Sequence, residues 1–297
     1  MALSVFIPYF DEDSDARPLA PQYSIGACEN IQPDGRKGNT YAGRGPNYPF
    51  STFVKVRVRG LSSPTTILLS LYFNPFGTIS WNKLANFGSQ ARMAVISDGD
   101  YLLSAQGYIF DDAPPHVCML ALAWSADEHY NPVATDPQPG TDKHWAQLNL
   151  ADIFVPMAPS GRQPFDVFFN AGNPSKASEK YLLQVRLVKG TELATLRSLT
   201  GKQLSEPKDV DFWFHDNVTG SKSVPDGPAQ AMSGLSLSPR EDRPFSLVGS
   251  IGRSLQPGTC FAISVDQYTG AEPDPKVRVG GCVVLVTVSF APAAPQA

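Results

Sequence analysis

Phe53-Val54-Lys55-Val56-Arg57-Val58-Arg59, closed by Gly60, is the stretch that decides the fold. Side chains alternate along an extended backbone, so Val54, Val56 and Val58 fall on one face and Lys55, Arg57 and Arg59 on the other. A helix would scatter the three valines round its circumference and restrict their branched side chains. The pattern predicts a half-buried β-strand with one apolar and one wet face. Leu61-Ser62-Ser63-Pro64 then turns the chain into Thr65 to Phe73, a second β-rich run. The two runs are expected to pair as a hairpin and seed a β-sandwich.

Composition agrees with that start. The chain has 297 residues, enough for two domains with a core each, and 42% of them are apolar against 18% charged. Its 27 prolines and 24 glycines suit many turns between short strands. No long amphipathic helix stands out; in the best candidate, Tyr181 to Leu199, the run Leu182 to Val188 alternates better as a strand. A net charge of −4 makes no electrostatic case for nucleic acid or an anionic membrane. No apolar run approaches the roughly 18 residues that span a bilayer. Met1 to Asp13 lacks a basic n-region and a small-residue cleavage site. The expectation is a soluble chain with no membrane insertion, cytoplasmic or exported without a cleaved leader.

Punctuation by Pro, Gly and polar clusters divides the chain into an N-terminal arm (1–45), an immunoglobulin-like β-sandwich (46–157), a short linker (158–163), a second β-sandwich (164–291) and a C-terminal tail (292–297). The expected class is all-β, two consecutive immunoglobulin-like β-sandwiches. The arm carries the acidic run Asp11-Glu12-Asp13-Ser14-Asp15 and either packs along its own domain or reaches a neighbouring subunit. His116 to Trp124 is nearly continuous apolar sequence, which predicts a central strand covered on both faces. Trp145 to Val155 should close the first domain. In the second, Thr259 to Val265 and Gly281 to Phe290 form the strongest pair, with a turn near Gly270 to Pro273. That hairpin could set Cys260 and Cys282 facing each other. Cys28 and Cys118 lie in unlike contexts, and all four cysteines are expected to be free and buried.

Three segments carry a family resemblance: Pro49 to Phe73, His116 to Ala121, and His144-Trp145-Ala146-Gln147-Leu148-Asn149-Leu150. They resemble bacterial CARDB-type immunoglobulin-like domains. In those, a V-x-V-R-V-x-N-x-G strand precedes one ending in an aromatic pair, and an H-x-C-type strand and an A-Q-x-N closing strand follow. Here Gly60 follows Arg59 directly, where the family has Asn and a further residue first. The resemblance implies a non-catalytic adhesion, spacer or assembly module, and no catalytic residue carries over.

Candidate chemistry is sparse. Asp11, Asp13 and Asp15 alternate like calcium-loop ligands, but Ala16 stands where such a loop needs glycine and Gln22 where it needs a bidentate Glu. Asp127, Glu128, His129, Asp136, Asp142 and His144, with Asp111, Asp112 and His116 nearby, are metal-ligating types without an H-E-x-x-H or C-x-x-C spacing. No G-x-S-x-G elbow occurs, and Cys118 sits mid-strand where a thiol is inert. No catalytic, cofactor-binding or metal residue is therefore assigned. Asn217-Val218-Thr219 matches a glycosylation sequon and reads as incidental.

Recognition has better material. Lys55, Arg57 and Arg59 form a basic stripe able to meet an acidic partner such as the Asp11 to Asp15 segment of another copy, although a solvated face is the plainer reading. Trp81, Trp124 and Tyr130 are loop aromatics able to anchor a partner. The expected function is a non-enzymatic structural or protein-interaction component (shell, spacer, fibre or docking module) that associates with further copies of itself. The alternative is a carbohydrate- or surface-binding module working through the loop aromatics. A metal-dependent hydrolase built on the Asp127 to His144 loop is third.

Overall fold

The computed structural model describes residues 2–20, 22–33, 35, 49–75, 90–108, 117–132, 136–157 and 161–290. Trp81, Asp111, Asp112, His116 and the expected tail lie outside the described residues. The first half supplies β1 (Ser4–Phe6), β2 (Ile31–Pro33), β3 (Pro49–Arg59), β4 (Thr65–Pro75), β5 (Gln90–Val95), β6 (Gly99–Tyr108), β7 (Val117–Trp124) and β8 (Trp145–Leu148). The second supplies β9 (Leu150–Pro156), β10 (Gln163–Gly172), β11 (Glu179–Leu187), helix α1 (Gly190–Thr200), β12 (Val210–Asp216), β13 (Val224–Asp226), β14 (Ala229–Leu237), β15 (Asp242–Ile251), β16 (Cys260–Thr269) and β17 (Arg278–Ser289). The all-β sandwich class expected from the sequence is what the chain adopts.

β3 organises the first sandwich. Its Val54, Val56 and Val58 are fully buried, each removing about 1.5–3 kcal/mol worth of side chain from water. β6 pairs along one edge of β3, and β1 and β2 share the other. The opposing sheet runs β5-β4-β7-β8. β3 and β4 are therefore not a hairpin: the chain arches at Gly60 from one sheet to the other. Ile67, Leu69, Leu71 and Phe73 then face the valines across the core instead of pairing beside them. Gly60 takes the left-handed φ of 70° that the arch requires. Asp98, in the parallel arch between β5 and β6, accepts the Gly60 and Leu61 amides at 2.9 and 2.7 Å. β7 is internal and covered on both faces, as its apolar run predicts. Met119, Ala121 and Ala123 point into the sandwich, while Cys118, Leu120 and Leu122 pack with Trp145 on the other side.

The second sandwich sets a three-stranded sheet, β10-β15-β12, over a six-stranded one, β13-β14-β11-β16-β17-β9. Phe165, Val167, Phe169, Phe214, Phe245 and Leu247 fill the space between them against Val185, Ile263, Val265, Val284 and Val286. The strand expected from Trp145 to Val155 is split at Asn149. β8 stays with β7, and β9 crosses to lie parallel to β17. Asn149 makes that junction. Its amide donates to Gly26 O (2.8 Å), its carbonyl accepts from Val283 N (2.9 Å), and its Nδ2 donates to Gly281 O (3.2 Å).

Each sandwich has its own core, and the first continues onto the second face of the six-stranded sheet. Cys260, Ala262, Val283 and Leu285, on the second face of the six-stranded sheet, join one apolar cluster with the β3 valines, with Tyr9, Leu19, Ile25 and Ile31, and with Leu193, Leu196 and Leu199 of α1. The described residues among the first 33 therefore pack as a wedge between the halves. The helix is a feature that alternation along Leu182 to Val188 concealed. β11 ends at Leu187, and Leu193, Leu196 and Leu199 then recur at helical spacing until Gly201 caps the helix with φ 67°.

The hairpin of β16 and β17 forms as expected, but its register pairs Cys260 with Thr287 and Cys282 with Val265. Five positions separate the two cysteines, so they lie on opposite faces of the sheet and cannot meet. All four cysteines are free and buried.

Candidate interaction surface

The basic stripe on β3 is occupied by its own chain. Lys55 pairs with the Asp11 carboxylate. Arg57 holds Asp100 through two bonds of 2.5 and 2.9 Å and donates to the carbonyls of Asp13 (2.7 Å) and Asp11 (2.8 Å). Arg59 donates to Ser14 O at 3.2 Å, and both arginines stack over the Phe6 ring. The acidic segment expected as a partner from another copy is met within one molecule. Asp13 itself is buried, accepting the Tyr9 and Asp15 amides (2.8 and 3.0 Å) and the Arg17 guanidinium (3.2 Å). Its oxygens organise a turn and are not turned outward as a calcium ligand's would be.

The long loop after β7 behaves similarly. Asp127 accepts from Thr65, and Asp136 pairs with Arg240 at 2.9 Å. His144 is buried between two carboxylates, with Nδ1 2.6 Å from Asp142 and Nε2 3.3 Å from Glu128. Tyr130 stacks on the imidazole with ring centroids 3.7 Å apart, donates to Asp142 (2.8 Å) and accepts from Trp145 Nε1 (2.9 Å). Trp124 is half-buried against the same cluster. Trp124 and Tyr130 thus come together as the lid of an apolar patch on the outer face of β7 and β8. Among the described residues no group of three or more His, Cys, Asp or Glu side chains is arranged to hold a metal ion. No helix among them is long and apolar enough to cross a membrane. Burial pushes the Cys28 thiol up to about 12, and the Cys260 and Cys282 thiols also rise through burial.

A surface that sequence reasoning did not single out lies on the outer face of the three-stranded sheet. Inward residues of β10 alternate with outward Asp166, Phe168 and Asn170. The register sets Asp166, Val248 and Trp213 in one cross-strand row and Phe168, Ser246 and His215 in the next. Phe168 is 65% exposed, although it stands in the middle of a strand. Trp213 and His215 lie 5.2 Å apart between ring centroids, and the Lys222 ammonium sits 4.7 Å over the indole. The result is an outer face on which Phe168, Val248 and Trp213 lie among polar His215 and a buried Ser246, with Asp166 at the β10 edge and Lys222 beyond the β12 edge. The signal in the sequence was Phe165-Asp166-Val167-Phe168-Phe169: a second phenylalanine falls at an outward position of a strand that already has its inward set.

No family model matches the chain, and no curated protein matches it. Among solved structures it is similar to a collagen adhesin from S. aureus, at 10% identity over 90% of this chain and 95% of the other, with TM-score 0.25. It is also similar to the CupB6 tip adhesin from Pseudomonas aeruginosa, at 9% identity over 89% and 99%, with TM-score 0.23. A third is the adhesive subunit of the CFA/I fimbria of enterotoxigenic Escherichia coli, at 8% identity over 98% and 93%, with TM-score 0.27. These are distant likenesses between β-rich chains, and the functional argument below rests on the surface of this molecule.

Proposed function

We propose that this chain is a non-enzymatic structural or protein-interaction component that joins further copies of itself through the outer face of the β10-β15-β12 sheet. The observation that carries this is the exposed Phe168 on the outer face of the sheet, in the cross-strand row next to Val248 and Trp213. An exposed apolar ring points to a contact site where neighbouring apolar side chains extend it into a patch, as Val248 and Trp213 do here. The charges at the margins make the patch complementary to itself. A two-fold axis running along β15 sets β10 of one copy over β12 of the other. Asp166 then faces Lys222, and Phe168 faces the ring pair of Trp213 and His215. Such a contact is isologous, using one patch twice.

The apolar cluster that runs from the first sandwich onto the six-stranded sheet supports a structural role, since it packs the two halves against each other. The CARDB-type resemblance of the first half, with its adhesion or assembly modules, is in keeping with the same reading. The carbohydrate-binding alternative has less support from this geometry, because Trp124 is half-buried and the Tyr130 hydroxyl is already committed to Asp142 and Trp145.

Light scattering across a concentration series tests the proposal. The native chain is expected to reach twice the single-chain mass, and Phe168→Glu, at an exposed site that leaves the core untouched, is expected to remain at the single-chain mass. A native chain that stays monomeric throughout overturns the reading. So does a dimer that Phe168→Glu does not weaken.

A further inference from the structure

A different part of the molecule ties the N-terminal strand to the loop after β7. Glu128 closes a short 3-10 helix (Ala126–Glu128), and its Oε1 faces one amide donor and two cationic groups. The Val5 amide of β1 donates at 3.0 Å, Lys143 Nζ lies at 3.1 Å and His144 Nε2 at 3.3 Å. The other oxygen, Oε2, is buried without a hydrogen-bond partner, so this carboxylate depends on its cations more than a surface one would. On the far side of the imidazole, Nδ1 meets Asp142 at 2.6 Å. Both ring nitrogens therefore face a carboxylate. Nδ1 hydrogen-bonds Asp142, whereas Nε2 meets Glu128 by charge without an aligned hydrogen bond. The doubly protonated, cationic ring thus pairs with both acids, and a neutral imidazole turns a lone pair toward one of them.

We propose that protonated His144 is the pin of a pH-sensitive clasp that holds β1 on the first sandwich. The titratable groups facing it are Glu128 from the 3-10 helix, Asp142 and Lys143 from its own loop, and the Tyr130 ring stacked on it. β1 brings no titratable side chain, but its Ser4 links Lys143 (2.6 Å) to Asp15 (3.2 Å). Of the remaining charged neighbours on the 3-10 turn, Asp127 is turned to Thr65 and His129 is exposed. Burial would lower the His144 value, but the hydrogen bond to Asp142 and the nearby Glu128 carboxylate outweigh it and hold the ring above its ordinary range. The sign follows. A raised folded value stabilises the clasp fully below the ordinary imidazole value of about 6.5 and is lost as pH rises through the folded value. Above it, Glu128 keeps Val5 and Lys143 but loses a cation, and β1 loosens.

β1 covers the edge of β3 at Arg57, Val58 and Arg59, so its release would expose unpaired backbone groups beside the basic stripe. The clasp thereby places a strand edge, distinct from the Phe168 face, under the control of one proton.

Amide hydrogen exchange at Val5 and Phe6 in the full chain, corrected for intrinsic pH dependence, tests this from below about pH 6.5 up through the folded His144 value as located by NMR titration. The native chain should lose protection there severalfold as pH rises, with β16 and β17 unaffected. His144→Gln should show the low protection at every pH, whereas a His215→Gln control keeps the native profile. Equal pH profiles in the native chain and His144→Gln overturn the proposal. If His144→Gln fails to fold, an NMR titration of the native imidazole decides. A value at or below the ordinary one, or β1 protection that does not follow it, overturns the clasp equally.

Discussion

Asn149 shows how much a single side chain does at a sheet crossing. It sits where β8 leaves one sheet and β9 enters another, and it binds Gly26, Gly281, Val283 and the Cys118 thiol at once. Truncation leaves the Gly281 carbonyl and the thiol without those partners in a dry site, so Asn149→Ala should cost about 1–3 kcal/mol in a urea titration. Asn149→Asp should do worse, because it replaces a donor with a charge facing a carbonyl. Asp98 acts similarly at the surface, where the Leu61 and Gly60 amides hold its carboxyl below the usual aspartate range. A lowered folded value means that the benefit exists above the ordinary aspartate value of about 3.9 and fades as pH falls through the folded value. Asp98→Asn should therefore lower stability at neutral pH, flatten the acid limb of the stability profile, and change little below the folded value. At this scale the valines of β3 were legible because alternation encodes burial directly. The carboxylate that caps their arch was not, because it lies 37 residues further along the chain from Leu61.

Local pattern explains the elements unevenly. A strand's two faces can be read from its own residues, which is why β3, β7 and the β16-β17 hairpin were recognisable. Its partner cannot, because a short polar turn such as Leu61 to Pro64 serves a hairpin and an arch equally well. Register is likewise a pairwise property, and it alone separated Cys260 from Cys282. Helix α1 had a readable signal in Leu193, Leu196, Leu199 and Gly201, masked by the strand that precedes it. Leu196 is buried against both halves, so Leu196→Ala should lower stability by about 2–5 kcal/mol. Gly201→Ala, at a left-handed cap with nothing near an added Cβ, should cost about 1 kcal/mol, as measured by thermal unfolding.

For the whole molecule, the N-terminal wedge and the shared six-stranded sheet matter most. Val5, Phe6, Ile7, Tyr9, Ile25 and Ile31 are all buried, so deletion of residues 1–33 should yield a chain that does not fold, rather than a folded monomer. Circular dichroism and unfolding cooperativity would show the difference. Sequence left the placement of the arm open because acidic residues and turns dominate its middle, and its apolar residues are spaced irregularly and find their places only in the tertiary fold. The candidate interaction surface was harder still to foresee. Loop aromatics draw the eye, yet Trp124 and Tyr130 are half-buried while Phe168 stands exposed on a strand. The central claim is that the Phe168 face meets a second copy of itself with Asp166 against Lys222, and mixing two charge-reversed variants tests it most directly. Asp166→Lys and Lys222→Asp should each weaken association, and an equimolar mixture should restore a mass twice that of the single chain, since both cross-contacts then regain opposite charges. A mixture that behaves as the sum of its two components, or a native chain that is monomeric at every concentration, would contradict the account.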